Sequence, residues 1–159
     1  MEVETAQPAF IADGMLGTTA RKLRILGYDT LYDTTSLDPD LIILAVSSGR
    51  TLLTNDHELF ISAKSHKACA ILVKGANEEE KLYRVLLKSG VRKIELGHLV
   101  SRCSICNSGL FDTGEITESD SKIYSCSSCG KRYWRGSHWR KMSLLFEEVN
   151  SMLNNYKAT

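Results

Sequence analysis

No run of apolar residues in this chain approaches the ~20 that a membrane-spanning helix needs, so no bilayer partner is expected. The opening stretch MEVETAQPAF is acidic and has neither a basic start nor an apolar centre. It does not read as a secretory leader, and the expected compartment is the cytoplasm. No GxGxxG and no phosphate-binding P-loop occurs; DGMLG (13–17) has too few glycines for either, which argues against a nucleotide cofactor. No Ser/His/Asp arrangement stands out, and there is no internal repeat and no low-complexity segment. Net charge is also nearly missing: +1 over 159 residues gives no global pull toward nucleic acid or membrane.

The charge is unevenly placed, however. Residues 1–99 carry 12 Lys/Arg against 13 Asp/Glu, and 100–159 carry 8 against 6. Within the second part, KRYWRGSHWRK (131–141) holds five cations and no acid. A local basic patch on a neutral chain is a better pointer to nucleic acid than the overall charge.

Periodicity divides the chain near residue 98. Before it, short apolar runs alternate with helical patterns: strands at 9–13, 28–33, 50–54 and 69–73, helices at 15–27, 38–49, 56–65 and 77–90. Gly27 and Gly90 read as helix ends, and Asp38 followed by Pro39 as a helix start. Repeated strand–helix–strand units predict an α/β fold, a parallel sheet with helices on both faces. Residues 101–141 are instead rich in Cys, Ser and Gly, and 142–155 form an amphipathic helix. The expected organisation is therefore an α/β domain over 8–97, a small cysteine-built module over 98–141, and a helix with its tail over 142–159.

Cys103-Ser-Ile-Cys106 and Cys126-Ser-Ser-Cys129 are two CxxC pairs with 19 residues between their inner cysteines, the spacing of a four-thiolate zinc ribbon. Four thiolates close a tetrahedral shell around Zn²⁺, so such a site is structural. Two disulfides are the alternative, but a reducing cytoplasm favours metal. Cys69 heads an apolar strand and reads as a buried small hydrophobe. His138 is not needed as a ligand.

In a parallel α/β sheet, functional groups gather beyond the carboxyl ends of the strands. Asp13 ends the first strand, Asp56 follows the third, and Asp38 and Asp40 open the helix between. Each can equally be a helix cap. Together they suggest carboxylates converging on Mg²⁺ or Mn²⁺, ions that prefer oxygen ligands and can activate water at a phosphodiester. Arg21 and Arg24, in ARKLR on the first helix, are candidate phosphate contacts. In the basic patch, Arg135, His138, Arg140 and Lys141 are candidate RNA contacts, with Tyr133, Trp134 or Trp139 as stacking faces.

The blocks FIADGMLGTTARKLRILGYDT, SGRTLLTNDHEL, RCSICNSGL and CSSCGKRYWRGSHW resemble, in the same order, the Mut-seven C-terminal RNase family, which joins a PIN-like nuclease domain to a zinc ribbon. The resemblance runs from about residue 10 to 142. It implies a PIN-like three-layer fold, with Asp13, Asp56 and an acid at the start of the second helix as the metal triad. Asp38 fits that middle position and Asp40 is the alternative. His57 stands where the family usually has a basic residue. The implied activity is metal-dependent endoribonuclease cleavage, and the implied partner is RNA, ribosomal or otherwise structured RNA included. A non-catalytic RNA- or ribosome-binding protein, in which the acids only cap helices, and a zinc-ribbon adaptor are the other readings. Oligomeric state is not legible.

Overall fold

The structure, a computed structural model, describes residues 6–157. The first five residues, on which the leader reading partly rests, and the last two of the tail lie outside this range.

Four parallel strands, β1 (Phe10–Ala12), β2 (Thr30–Tyr32), β3 (Thr51–Thr54) and β4 (Ala70–Leu72), form one sheet in the order β2-β1-β3-β4. Phe10 pairs with Thr30 on one side and Thr51 on the other, so β1 is hydrogen-bonded along both edges. This explains why its three residues are all buried.

Alternation along the strands sends successive side chains to opposite faces. Phe10, Ala12 and Leu53 join Leu23 of α1 (Gly17–Ile25), Leu82 of α4 (Glu78–Lys88) and Phe146 of α5 (Ser137–Asn154) in the larger core. Ile11 and Leu52 face the other way, onto Leu41 of α2 (Asp38–Ser48) and Leu59 of α3 (His57–Ser65). The result is the expected three-layer α/β arrangement.

The expected first helix opens as a 3-10 turn, Gly14–Leu16, before α1. Gly27 follows α1 at φ +95°, and an added Cβ would lie 2.6 Å from the Val100 carbonyl oxygen. Glycine is therefore required there both by conformation and by the chain crossing it.

Two expectations need correction. Cys69 is exposed, between buried Ala68 and Ala70, because the period-two alternation turns its side chain outward as the chain enters β4. The last helix begins at Ser137, not 142. Its first turn carries polar and aromatic residues on the outside, so the apolar repeat starts only at Met142 although the helix has already begun. This helix is no free appendage: Phe146, Val149 and Leu153 are fully buried in the larger core. The Asn150 amide also donates to the Ile94 carbonyl at 2.8 Å and accepts from the Ile94 N–H at 2.7 Å.

After a 3-10 turn at Leu96–His98, the module of 98–141 folds as an antiparallel sheet of β5 (Leu110–Ile116), β6 (Lys122–Cys126) and β7 (Arg132–Tyr133) in that order.

Candidate functional site

The two CxxC pairs fold as matching turns. In the first, the Asn107 N–H donates to the Cys103 carbonyl at 2.9 Å, with Asn107 at φ +70°. In the second, the Gly130 N–H donates to the Cys126 carbonyl at 3.2 Å, with Gly130 at φ +75°. Each turn thus needs a residue tolerant of left-handed backbone just after its second cysteine, and Asn and Gly supply it.

The turns face each other, with Cys103 Sγ 3.6 Å from Cys129 Sγ and Cys106 Sγ 3.3 Å from Cys126 Sγ. All four sulfurs lie within 4.8 Å of one another. A tetrahedron with Zn–S bonds of about 2.3 Å has sulfur–sulfur edges of about 3.8 Å, so this donor set fits zinc. Hydrogen bonding from Ser108, and then from Cys126, pulls the Cys106 thiol down to about 6, and the thiolate is the form that ligates.

Tyr133 braces the first turn. Its hydroxyl lies 3.1 Å from Cys103 Sγ and 3.1 Å from Ser104 Oγ, and it accepts from the Ser104 N–H at 3.1 Å. Burial, and then the bond to Cys103, push its pKa up to about 12, so it stays protonated and donates to sulfur.

Arg24, expected on an exposed face, is buried instead. It is 5% exposed, on the buried side of α1. Its Nε donates to the Thr30 carbonyl at 2.8 Å, and its Nη1 donates to the carbonyls of Ser104 at 3.0 Å and Ile105 at 3.1 Å. No described carboxylate pairs with it; burial disfavours its charge, and the Cys103 and Cys106 thiolates favour it. Helical spacing puts it on the inner face beside Leu23, while Arg21 is exposed. Beside it, the Asn107 side chain accepts from the Thr30 N–H at 3.0 Å and donates to Asp29 at 2.7 Å. Asp29 in turn takes both ends of the Arg50 guanidinium at 2.9 and 3.0 Å. The cysteine module is thus fixed to the amino ends of β2 and β3.

The acids occupy the opposite edge. The connection from β1 to β2 runs one way along the sheet and that from β2 to β3 runs back, so the topological switch point lies between β1 and β3. Asp13 and Asp56 follow those two strands. Asp13 is 6% exposed; its Oδ1 accepts from the Met15 N–H at 2.9 Å and its Oδ2 accepts from the Thr54 hydroxyl. That same hydroxyl oxygen accepts from the Asp56 N–H at 3.0 Å, so one threonine joins the two acids. Asp56 caps α3 through Oδ1, which takes the N–H groups of Glu58 and Leu59 at 2.8 and 3.2 Å.

Asp38 and Asp40 are exposed on the first turn of α2. Among the described residues the four cysteines are the group of three or more ligands brought together, and the acids are not gathered in the same way. Glu78 was not singled out from the sequence, where it reads as one of three first-turn acids. It is half-buried at this edge and accepts from the Thr19 hydroxyl of α1 at 2.9 Å. Only the packing of α1 against α4 distinguishes it from Glu79 and Glu80.

Arg135, His138, Arg140 and Lys141 are all exposed around the start of α5. The first two line a cleft of about 540 Å³ between β7, α5 and the linker 99–102; Arg140 and Lys141 do not.

No described helix is long and apolar enough to cross a membrane. Comparison with curated proteins and with solved structures gives no match. The family model described as Mut7-C RNAse domain matches residues 8–146, which takes in the parallel sheet, both acids of the switch point and all four cysteines. The chain belongs to the Mut7-C RNAse domain family.

Proposed function

We propose that this protein is a metal-dependent endoribonuclease whose cysteine module, held by zinc, helps to position RNA in the cytoplasm. The observation that carries the reading is the pair Asp13 and Asp56 at the switch point, coupled through Thr54. A nuclease of this family needs carboxylates there, and a binding fold does not. The donors at this edge are all hard oxygens, which suits Mg²⁺ or Mn²⁺. Asp13 and Asp56 would hold the ion, with Asp38, Asp40 or Glu78 completing the set. When bound, the ion lowers the pKa of a coordinated water and offsets charge at the cleaved phosphate.

The chain's own residues do the rest. Thr54 locks the Asp13 rotamer by donating to one oxygen, while the Met15 N–H fixes the other. Asp56 engages backbone only through Oδ1, leaving Oδ2 without a described partner and directed by the cap. Arg21, exposed on α1, would meet phosphate.

A second reading has a specific observation behind it. Both acids are already engaged as caps, and the middle acids stand apart, as they would in an RNA- or ribosome-binding protein without activity. The experiment is cleavage of end-labelled single-stranded and folded RNAs by zinc-loaded protein in Mn²⁺ or Mg²⁺. Asp13→Asn and Asp56→Asn preserve the caps through their amide oxygens. They should abolish cleavage with RNA affinity kept. Wild type that cuts none of these RNAs in either metal rules the enzyme out.

A further inference from the structure

Both tryptophans of the protein line the cleft between β7 and the start of α5. Trp134 is 54% exposed, and Trp139 is half-buried. An added Cβ at Gly136 would come within 3.0 Å of the Trp134 indole nitrogen, so the glycine lets that ring lie across the chain. The Arg135 guanidinium rests 5.0 Å from the centre of the Trp139 ring, and the Lys131 ammonium 5.6 Å from that of Tyr133. Neither cation pairs with a described carboxylate, whereas Arg132 is engaged by Glu115. Among the described residues, no acid lines the cleft. A cation held on an aromatic face stays in place while its charge remains available.

The cleft also has a definite position. It touches Ile25 at the far end of α1, while Asp13 stands near the other end. The 9 residues of α1 span about 13 Å at 1.5 Å each.

We propose that this cleft binds an unpaired segment of RNA, one base against the Trp134–Trp139 wall and adjoining phosphates on Lys131 and Arg135, at a site separate from the acidic edge. This rests on the RNA reading above and deepens it. An unpaired base offers its face for stacking, whereas a paired one offers only an edge, and stacking is worth about 1–3 kcal/mol per base. Charge complementarity selects a polyanion, and the aromatic wall selects bases over carboxylates. A strand gripped here would run the length of α1 and the 3-10 turn before it to reach Asp13, at least about four stacked nucleotides at about 3.4 Å each. Cleavage therefore falls at an offset from the gripped base.

The tryptophans report directly on this site. Zinc-loaded full-length protein is titrated with a mixed-sequence single-stranded octaribonucleotide, the same octamer as a duplex, an abasic octamer and an octaglutamate peptide, reading tryptophan fluorescence. The single strand should quench it and bind at least tenfold more tightly than any of the others. The Lys131→Ala/Arg135→Ala double variant, altered only at exposed positions, should lose tenfold or more in affinity and show a shallower salt dependence. Asp13→Asn with Asp56→Asn should leave the quench unchanged. Absence of quenching, equal binding by the duplex, abasic or peptide probe, or loss of the quench in the acid variant would each overturn the proposal. Cleavage without quenching removes the cleft and leaves the nuclease; quenching without cleavage upholds the cleft and removes the nuclease.

Discussion

Replacing Arg24 with Met tests whether the cysteine module is welded to the α/β domain. Met keeps most of the volume of the side-chain stem and removes all three hydrogen bonds. The carbonyls of Thr30 and Ser104, both in buried residues, then lose a charged donor. An unsatisfied buried polar group costs about 1–3 kcal/mol, and bonds to a charged donor lie at the upper end of the usual range. Removing a buried charge that has no carboxylate partner returns part of this, because its desolvation penalty disappears too. A net loss of about 2–4 kcal/mol is expected, a large fraction of the 5–15 kcal/mol that typically holds a domain. For a chain of this size each kcal/mol shifts Tm by about 2–4 °C, so Tm should fall by about 4–16 °C.

The assay is thermal and urea unfolding of the zinc-loaded protein, with zinc affinity from competition with a chromogenic chelator. Both should fall together, because Arg24 grips the carbonyls of the first CxxC turn and its charge faces Cys103 and Cys106. Arg24→Lys should recover only part, since an ammonium cannot span both sets of acceptors. If Arg24→Met stays within about 0.5 kcal/mol of wild type and binds zinc equally, the weld is refuted. If it weakens RNA binding while leaving stability intact, Arg24 belongs with the phosphate contacts after all.

Asp29 should give the protein an acid-sensitive step. The Arg50 fork, and then Asn107, hold its pKa below the ordinary carboxylate value. A group depressed in the folded state contributes stability above its unfolded pKa of about 4 and loses it as pH falls through the folded value. Asp29→Asn should therefore destabilise at pH 7 and converge with wild type in urea melts as pH falls through the depressed pKa of Asp29. Gly27→Ala should destabilise by about 1–3 kcal/mol, since φ is positive and Val100 blocks the new methyl; thermal melts check this. Asn150→Ala should cost a similar amount by orphaning the Ile94 backbone, and hydrogen exchange should rise at α5 before the central sheet. Stripping zinc with a strong chelator should change tryptophan fluorescence while far-UV helicity is largely kept, because the helices lie outside β5–β7.

How legible these features were depended on whether the signal was local. Gly27, Asp38-Pro39 and the apolar runs mark helix ends and strands by short-range chemistry, and they fall where the elements do. The CxxC spacing likewise predicts the four-sulfur cluster, because each pair is a self-contained turn. Arg24 in ARKLR reads as a third exposed cation; only the arrival of residues 101–107 against α1 shows that it faces inward. Glu78 was missed for a related reason. Three consecutive acids in a helix's first turn look alike, and only Thr19, 59 residues away, singles one out. Residues 137–141 hid a helix start because the repeat that reveals helices is carried by buried faces, and that turn exposes most of its side chains.

On the function proposed above, the two ends of the sheet would divide the labour, and the division would follow from chain direction. Parallel strands put every carboxyl end on one edge, so Asp13 and Asp56 share it with the starts of the helices that they cap. The returning chain has the other edge left to it. The crossing over Gly27, the Arg24 fork and Asn107 all lie at the amino ends of β2 and β3, where strand backbone groups would otherwise lack partners. Fixing the cysteine module there, rather than tethering it, sets a constant distance between the aromatic cleft and the acidic edge. A flexible tether would raise the local concentration of RNA without choosing a cut site; on the proposed function, a rigid one would choose it. Loosening the junction with Arg24→Met should then blur the spacing between the gripped base and the cut before it lowers the amount of RNA bound. Footprints that stay sharp in that variant would mean the junction serves stability alone.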